Sequence, residues 1–275
     1  MSQNQQLGSG VYPGCRGAGR LAQSLGSAAL VALLAACVTT PITGRRSLNF
    51  YAVEEEVPLG AEAYEQLLSE ESLITSGPEF DMVQRISARL VEAAAPEDPG
   101  YAWETRLIRA PTTANAFCLP GGKMAVYSGL IPIAQNEAAL AAVMGHEIGH
   151  ALARHGTERL TQSQALGVVT EVVNTTVEGA SDYTALGGAL IEYGVFLPWG
   201  RRQELEADRL GLVLMARAGY DPREAVGLWE RMSALSGGSN TPSWLSTHPS
   251  GEDRIAEIQA LLPEVLPIYE ASQGR

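Results

Sequence analysis

The chain of 275 residues is short of histidine, with four, and almost without lysine, since Lys123 is the only one. Its 31 acidic residues outnumber the 19 basic ones and give a formal net charge of -12. A surface of that sign repels a phosphate backbone, which discounts nucleic acid as a partner. Long apolar runs are missing too: the longest, Leu21 to Ala36, has about 16 residues where a helix needs roughly 20 to cross a bilayer. There is no internal repeat. What remains is ordinary globular material, 45% hydrophobic, long enough for one domain or two small ones.

Residues 1–36 contain no Asp or Glu, carry Arg16 and Arg20, and then turn apolar through "LGSAALVALLAAC". A basic start, a short apolar run and small residues at its end are the parts of a secretory signal peptide. The last four residues, Leu34-Ala35-Ala36-Cys37, resemble a bacterial lipobox, in which the cysteine is acylated and becomes the new N-terminus. Val38 rather than an aspartate follows, and by the same resemblance this implies lipid anchoring in the periplasm, at the inner leaflet of the outer membrane. Residues 37–52 then read as a lipidated tether. Cys15 would leave with the signal and Cys37 would take the lipid. Cys118 alone remains, so no disulfide framework is available.

Beyond the tether the period of the apolar residues organises the chain. Residues 59–74 and 78–95 show helical spacing. The stretches 103–110 and 114–131 alternate apolar and polar residues around Pro120-Gly121-Gly122, which predicts a small antiparallel sheet. Helical patterns return at 136–155, 158–174, 181–195, 201–218, 222–235 and 250–262. The expectation is an α+β body over 53–265, mostly helical with one small sheet, and a C-terminal tail at 266–275.

Three of the four histidines fall in "AAVMGHEIGHALARHG". His146, Glu147 and His150 form H-E-x-x-H. Four residues of helix rise about 6 Å and turn back to within about 40°, so the two imidazoles stack and can grip one ion. Glu147 lies about 100° from His146, on the same face, where it can reach water without binding the metal. Leu140, Met144, Ile148, Ala151 and Leu152 form an apolar stripe on the other side. His155 lies about 180° from His146 and is expected to be a packing or surface histidine.

Two histidines do not complete a catalytic zinc site, which takes three protein ligands and a water. His248 is one candidate for the third; carboxylates in "RRQELEADRLG" are the other. Glu204 and Asp208 are four apart and share a helix face, whereas Glu206 is about 200° from Glu204 and sits between Arg202 and Arg209. If the acid pair turns inward, Glu204 can bind zinc while Asp208 accepts the free N–H of a ligand histidine, and Glu206 keeps a surface role. The alternative is that all three acids are solvated.

With H-E-x-x-H followed by Arg201, Glu204, Ala207 and Asp208 as R-x-x-E-x-x-A-D, the chain resembles the M48 family of zinc metallopeptidases. "NAFCLPGGKMAVYSGL", "STHPSGEDRI" and "TTPITGRRSLNFY" are similar to its periplasmic, lipoprotein-type branch, related to the mitochondrial Oma1 peptidase. The resemblance implies a zincin-like domain with one zinc ion held by His146, His150 and Glu204, Glu147 as general base, Asp208 holding a ligand ring, and His248 facing the site, where it is expected to act in catalysis by stabilising the oxyanion or to block the open position in a resting form. It implies a zinc endopeptidase that degrades misfolded or damaged envelope polypeptides. An edge strand at 114–118 would hold the substrate by its main chain, and Asn115 is the candidate substrate-binding side chain, unless it only shapes the turn. Cys118 reads as a small buried residue. A competing expectation is an envelope chaperone or assembly factor in which zinc is structural.

Overall fold

The computed structural model describes residues 37–165, 182–235, 242–248 and 252–274. The expected signal peptide and parts of the helices expected at 158–174 and 181–195 therefore lie outside the described residues. In chain order the elements are β1 (Cys37–Thr39), β2 (Arg46–Leu48), α1 (Val53–Leu68), β3 (Leu73–Ile74), α2 (Pro78–Ala94), β4 (Glu104–Ile108), β5 (Ala116–Leu119) and β6 (Lys123–Tyr127). They continue with α3 (Glu137–Leu152), α4 (His155–Ala165), α5 (Asp182–Ile191), α6 (Arg201–Arg217), α7 (Glu224–Leu235) and α8 (Glu252–Ser272). Among the described residues no helix is long and apolar enough to cross a membrane.

The expected α+β body is present. Its sheet runs β3-β4-β6-β5: the outer pairs are antiparallel, while β4 and β6 are parallel, from Glu104 opposite Lys123 to Ile108 opposite Tyr127. The β5–β6 hairpin closes through Pro120, Gly121 and Gly122. Both glycines hold positive φ, 78° and 79°, a region that glycine enters without steric cost.

Helix α3 starts where Asn136 caps it, its side chain accepting from the Ala139 amide at 2.8 Å. Helical periodicity predicts one core face and one motif face for this helix. In fact every residue from Ala139 to Leu152 is buried, so α3 is the central helix. It packs on α6 at backbone contact. A Cβ on Gly211 would lie 2.8 Å from the His146 amide nitrogen, and one on Gly149 would lie 2.8 Å from the Ala207 carbonyl oxygen. Only glycine permits that approach, and it brings the two motif-bearing helices together.

Two boundaries differ from expectation. The segment 37–52, read as a tether, is fastened to the body: Asn49 donates to Thr157 Oγ1 at 2.7 Å and Phe50 N–H to Thr161 Oγ1 at 2.9 Å. Its polar sequence satisfies hydrogen bonds of α4 instead of water. The tail expected at 266–275 is helical as far as Ser272. Pro263 and Pro267 are exposed, and on that side water can satisfy the carbonyls that each proline leaves without a donor.

Candidate metal centre and active site

His146 and His150 from α3, Glu204 from α6 and His248 after the single turn at Trp244–Thr247 converge and are all buried. His150 Nε2 lies 3.0 Å from His146 Nε2 and 3.3 Å from Glu204 Oε1. His248 Nδ1 lies 3.2 Å from His146 Nε2 and 2.9 Å from Glu204 Oε1. Four donors about 2.0–2.1 Å from a tetrahedral ion would stand about 3.3 Å apart, so the cluster has the dimensions of a zinc polyhedron. Glu204 Oε2, also buried, makes no hydrogen bond of acceptable geometry, although the Arg254 guanidinium lies against it as an ion pair. The residues fit a divalent ion.

Partners outside the cluster aim the rings. Asp208 Oδ1 is 2.9 Å from His146 Nδ1, which places the ring proton there and leaves the Nε2 lone pair facing the centre. Arg254 pairs with both oxygens of Asp208 as well as with Glu204, and stacks 3.8 Å over the Trp229 ring. Burial would raise the pKa of Asp208, but the Arg254 charge and hydrogen bonds hold it below the usual range. Glu204 is likewise held well below it: burial opposes, and the His248 and Arg254 charges prevail.

Glu147 stands beside the cluster. Its Oε1 accepts the Trp244 indole N–H at 2.7 Å and lies 3.3 Å from His248 Nε2. Burial raises its pKa to about 7, against the pull of His146 and of the Trp244 hydrogen bond. A carboxyl poised there can both take and return a proton. Two indoles lie against the cluster. Trp199 stacks on His150 with centroids 4.3 Å apart, and Trp244 on His248 at 4.6 Å.

Of the expected substrate elements, β5 lies at the edge of the sheet. The Asn115 side chain is turned onto its own strand, with Oδ1 accepting from the Ala116 amide at 3.0 Å. The Ala114 carbonyl is taken by Trp244 N–H at 2.9 Å and Ser243 Oγ at 3.0 Å. Cys118 is buried and its thiol pKa is pushed well up by desolvation. Cys37 is exposed.

His155, expected to pack or to lie at the surface and left out of the site, packs against a ligand ring, and Glu206, expected at the surface, is not there. His155 is completely buried, 2.8 Å from His150 Nδ1 through its own Nδ1. Glu206 is buried as well, accepts from His155 Nε2 at 3.0 Å, and pairs with Arg45 and Thr43. The helical count failed because α3 ends before His155: Arg154 has φ 56°, and a new helix starts on a different axis. Glu206 does point away from Glu204, but towards α4 and the N-terminal segment. Trp244 carried no signal in the sequence, and Arg254 lay in the family-like stretch "STHPSGEDRI" without a role of its own, since each reaches the centre from a distant segment.

Against known proteins, the description "Peptidase family M48" matches residues 79–262. The chain belongs to peptidase family M48. Among M48 relatives, the mitochondrial metalloendopeptidase OMA1 of Schizosaccharomyces pombe is 36% identical over 236 residues, which cover 84% of this chain and 68% of the relative. Human mitochondrial metalloendopeptidase OMA1 is 30% identical over 247 residues, covering 84% and 47%. The beta-barrel assembly-enhancing protease of Escherichia coli is 25% identical over 243 residues, covering 85% and 49%. This M48 chain is therefore a zinc metallopeptidase, and the four-donor cluster is a place for one ion.

Proposed function

We propose that the chain is an endopeptidase of bacterial envelope quality control, cleaving misfolded or damaged polypeptides while tethered through lipid on Cys37 in the periplasm, at the outer membrane. The lipobox-like residues and the similarity to a bacterial protease named for β-barrel assembly support that location; the mitochondrial relatives support the chemistry rather than the place. The observation that carries the reading is a carboxylate, Glu147, left outside a cluster that has the dimensions of a zinc site.

His146, His150 and Glu204 hold the ion, Asp208 orients His146, and Arg254 holds Glu204 and Asp208 in one ion-pair network. When bound, zinc supplies Lewis acidity at the scissile carbonyl and brings the pKa of its water near 7. Glu147 takes the proton of the attacking water and returns it to the leaving nitrogen. An extended substrate adds to the outer edge of β5, held by main-chain hydrogen bonds, with Asn115 at the entrance of that edge. A displacement of residues 242–248 would free Ala114, Glu147 and the donor cluster together, because Trp244 and His248 contact all three. His248 then blocks the site at rest and faces the oxyanion when displaced.

One observation favours a second reading. Four protein donors make a closed set, as structural zinc sites do, which suits a chaperone or assembly factor. Glu147→Gln separates the two. It should spare zinc and folding and abolish cleavage of an unfolded protein such as casein, whereas a cellular phenotype that survives the substitution would support the chaperone.

A further inference from the structure

Each of the two imidazoles on α3 has a buried acid assigned to it, by different routes. For His146 the acid is in direct contact. For His150 it is one ring away, and the connection runs His150 Nδ1 to His155 Nδ1 at 2.8 Å, then His155 Nε2 to Glu206 Oε2 at 3.0 Å. Only one proton fits between two ring nitrogens at that distance, so either His150 donates to His155 or the reverse. If neutral His155 donated, its bare Nε2 lone pair would face the Glu206 carboxylate, and His150 Nε2 would carry a proton into the donor cluster. The carboxylate excludes that arrangement. It accepts His155 Nε2–H, which leaves His155 Nδ1 to accept from His150 and aims the His150 Nε2 lone pair inward.

Glu206 is fixed on its far side. Arg45 Nε pairs with Oε2 and Thr43 Oγ1 donates to Oε1. The same guanidinium holds Glu158 through two bonds of 2.7 Å, and both acids are buried. We infer that His155 and Glu206 are positioning residues that set the tautomer and direction of the ligand ring of His150, with Arg45 of the N-terminal segment anchoring the relay. The inference rests on the reading that His150 binds zinc.

The test is zinc affinity of the stripped full chain, equilibrated against a chromophoric chelator, for wild type, His155→Phe and His155→Asn. Partners that orient a ligand ring are worth about 10- to 100-fold in metal affinity. His155→Phe keeps the packing but offers no acceptor, and should lose an amount in that range. His155→Asn places Oδ1 near the Nδ1 position and should recover to within a few-fold of wild type. Equal losses in both variants would make His155 a mere packing residue, and a His155→Phe affinity within twofold of wild type would overturn the relay outright. A second measurement needs no variant: long-range ¹H–¹⁵N spectra of the zinc-loaded chain should show His150 protonated at Nδ1 and His155 at Nε2, and the opposite pattern sinks the inference. Zinc uptake by wild type with an indifferent His155→Phe overturns this inference alone. A wild-type chain that takes up no zinc overturns the peptidase reading with it.

Discussion

Gly211→Ala is the sharpest probe of how the ligand helices are spaced. In an ordinary helix the change would stabilise by up to about 1 kcal/mol, because alanine surpasses glycine in helix propensity. Here the new Cβ meets His146 N at 2.8 Å and Gly145 C and His146 Cα at 3.0 Å, all of them backbone atoms that cannot rotate away. Relieving the contact to an ordinary 3.4 Å requires α6 to retreat by about 0.6 Å. Overpacking of this kind costs about 1–3 kcal/mol, and a backbone obstacle belongs at the upper end, so the clash outweighs the propensity gain by about 1–2 kcal/mol. At about 2–4 °C per kcal/mol for a body of this size, the melting temperature should fall by roughly 2–8 °C. The same retreat carries Glu204 away from both histidines by more than the roughly 0.2 Å that metal bonds tolerate, so zinc affinity should fall about 10-fold or more. The assay pairs thermal melts with chelator competition. Gly188→Ala, where a Cβ meets nothing within 4 Å on α5, is the control and should be neutral or stabilising. A Gly211→Ala chain that melts higher and binds zinc as wild type would refute the spacing argument.

Other substitutions test neighbouring parts of the site. Asp208→Ala leaves Arg254 with one fewer buried acid and His146 without its acceptor; breaking a buried pair costs about 3–5 kcal/mol, so a melt lowered by several degrees and weaker zinc binding are expected. Trp244→Phe keeps the ring but removes the indole donor from Glu147, a charged hydrogen bond worth about 1.5–3 kcal/mol; casein cleavage should rise several-fold if that bond helps keep the site shut, and a fall would mean that the indole serves catalysis. Glu206 is held at about 2, burial opposing and the His155 and Thr43 hydrogen bonds and the Arg45 charge prevailing. Its stabilising effect is therefore complete above its ordinary value of 4.5 and lost as pH falls towards 2. Denaturation of Glu206→Gln across that window should show a shallower loss of stability than wild type, and superimposable curves would count against the pairing.

Much of the centre was legible because it is written in local periods. H-E-x-x-H places two rings on one helix face, and the i, i+4 relation puts Glu204 and Asp208 on a common face; that this face turns towards the rings was implied only by the family resemblance, and in the structure both acids lie beside them. The helices of the second half were visible in the same way, with ends shifted by a few residues. What escaped depends on chain reversals and long-range packing. His155 was placed by extending a helix that in fact stops at Leu152. Glu206 looked solvated because its partners, Arg45 and His155, arrive from other segments. The parallel pairing of β4 with β6 needs a crossover that alternation alone does not specify. Arg254, 50 residues beyond Glu204, lay in the family-like stretch "STHPSGEDRI", but nothing in its spacing tied it to Glu204 and Asp208.

The deep burial of the donor set has a kinetic corollary. With His146, Glu147, His150, Glu204 and His248 each at most 3% exposed, and Trp199 and Trp244 stacked on two of the rings, an ion seated among them would leave only as neighbouring groups move. Its residence time is then governed by those movements rather than by bond strength. Chelators would strip the protein at a rate independent of their own concentration, and loading would be quickest in a chain still folding.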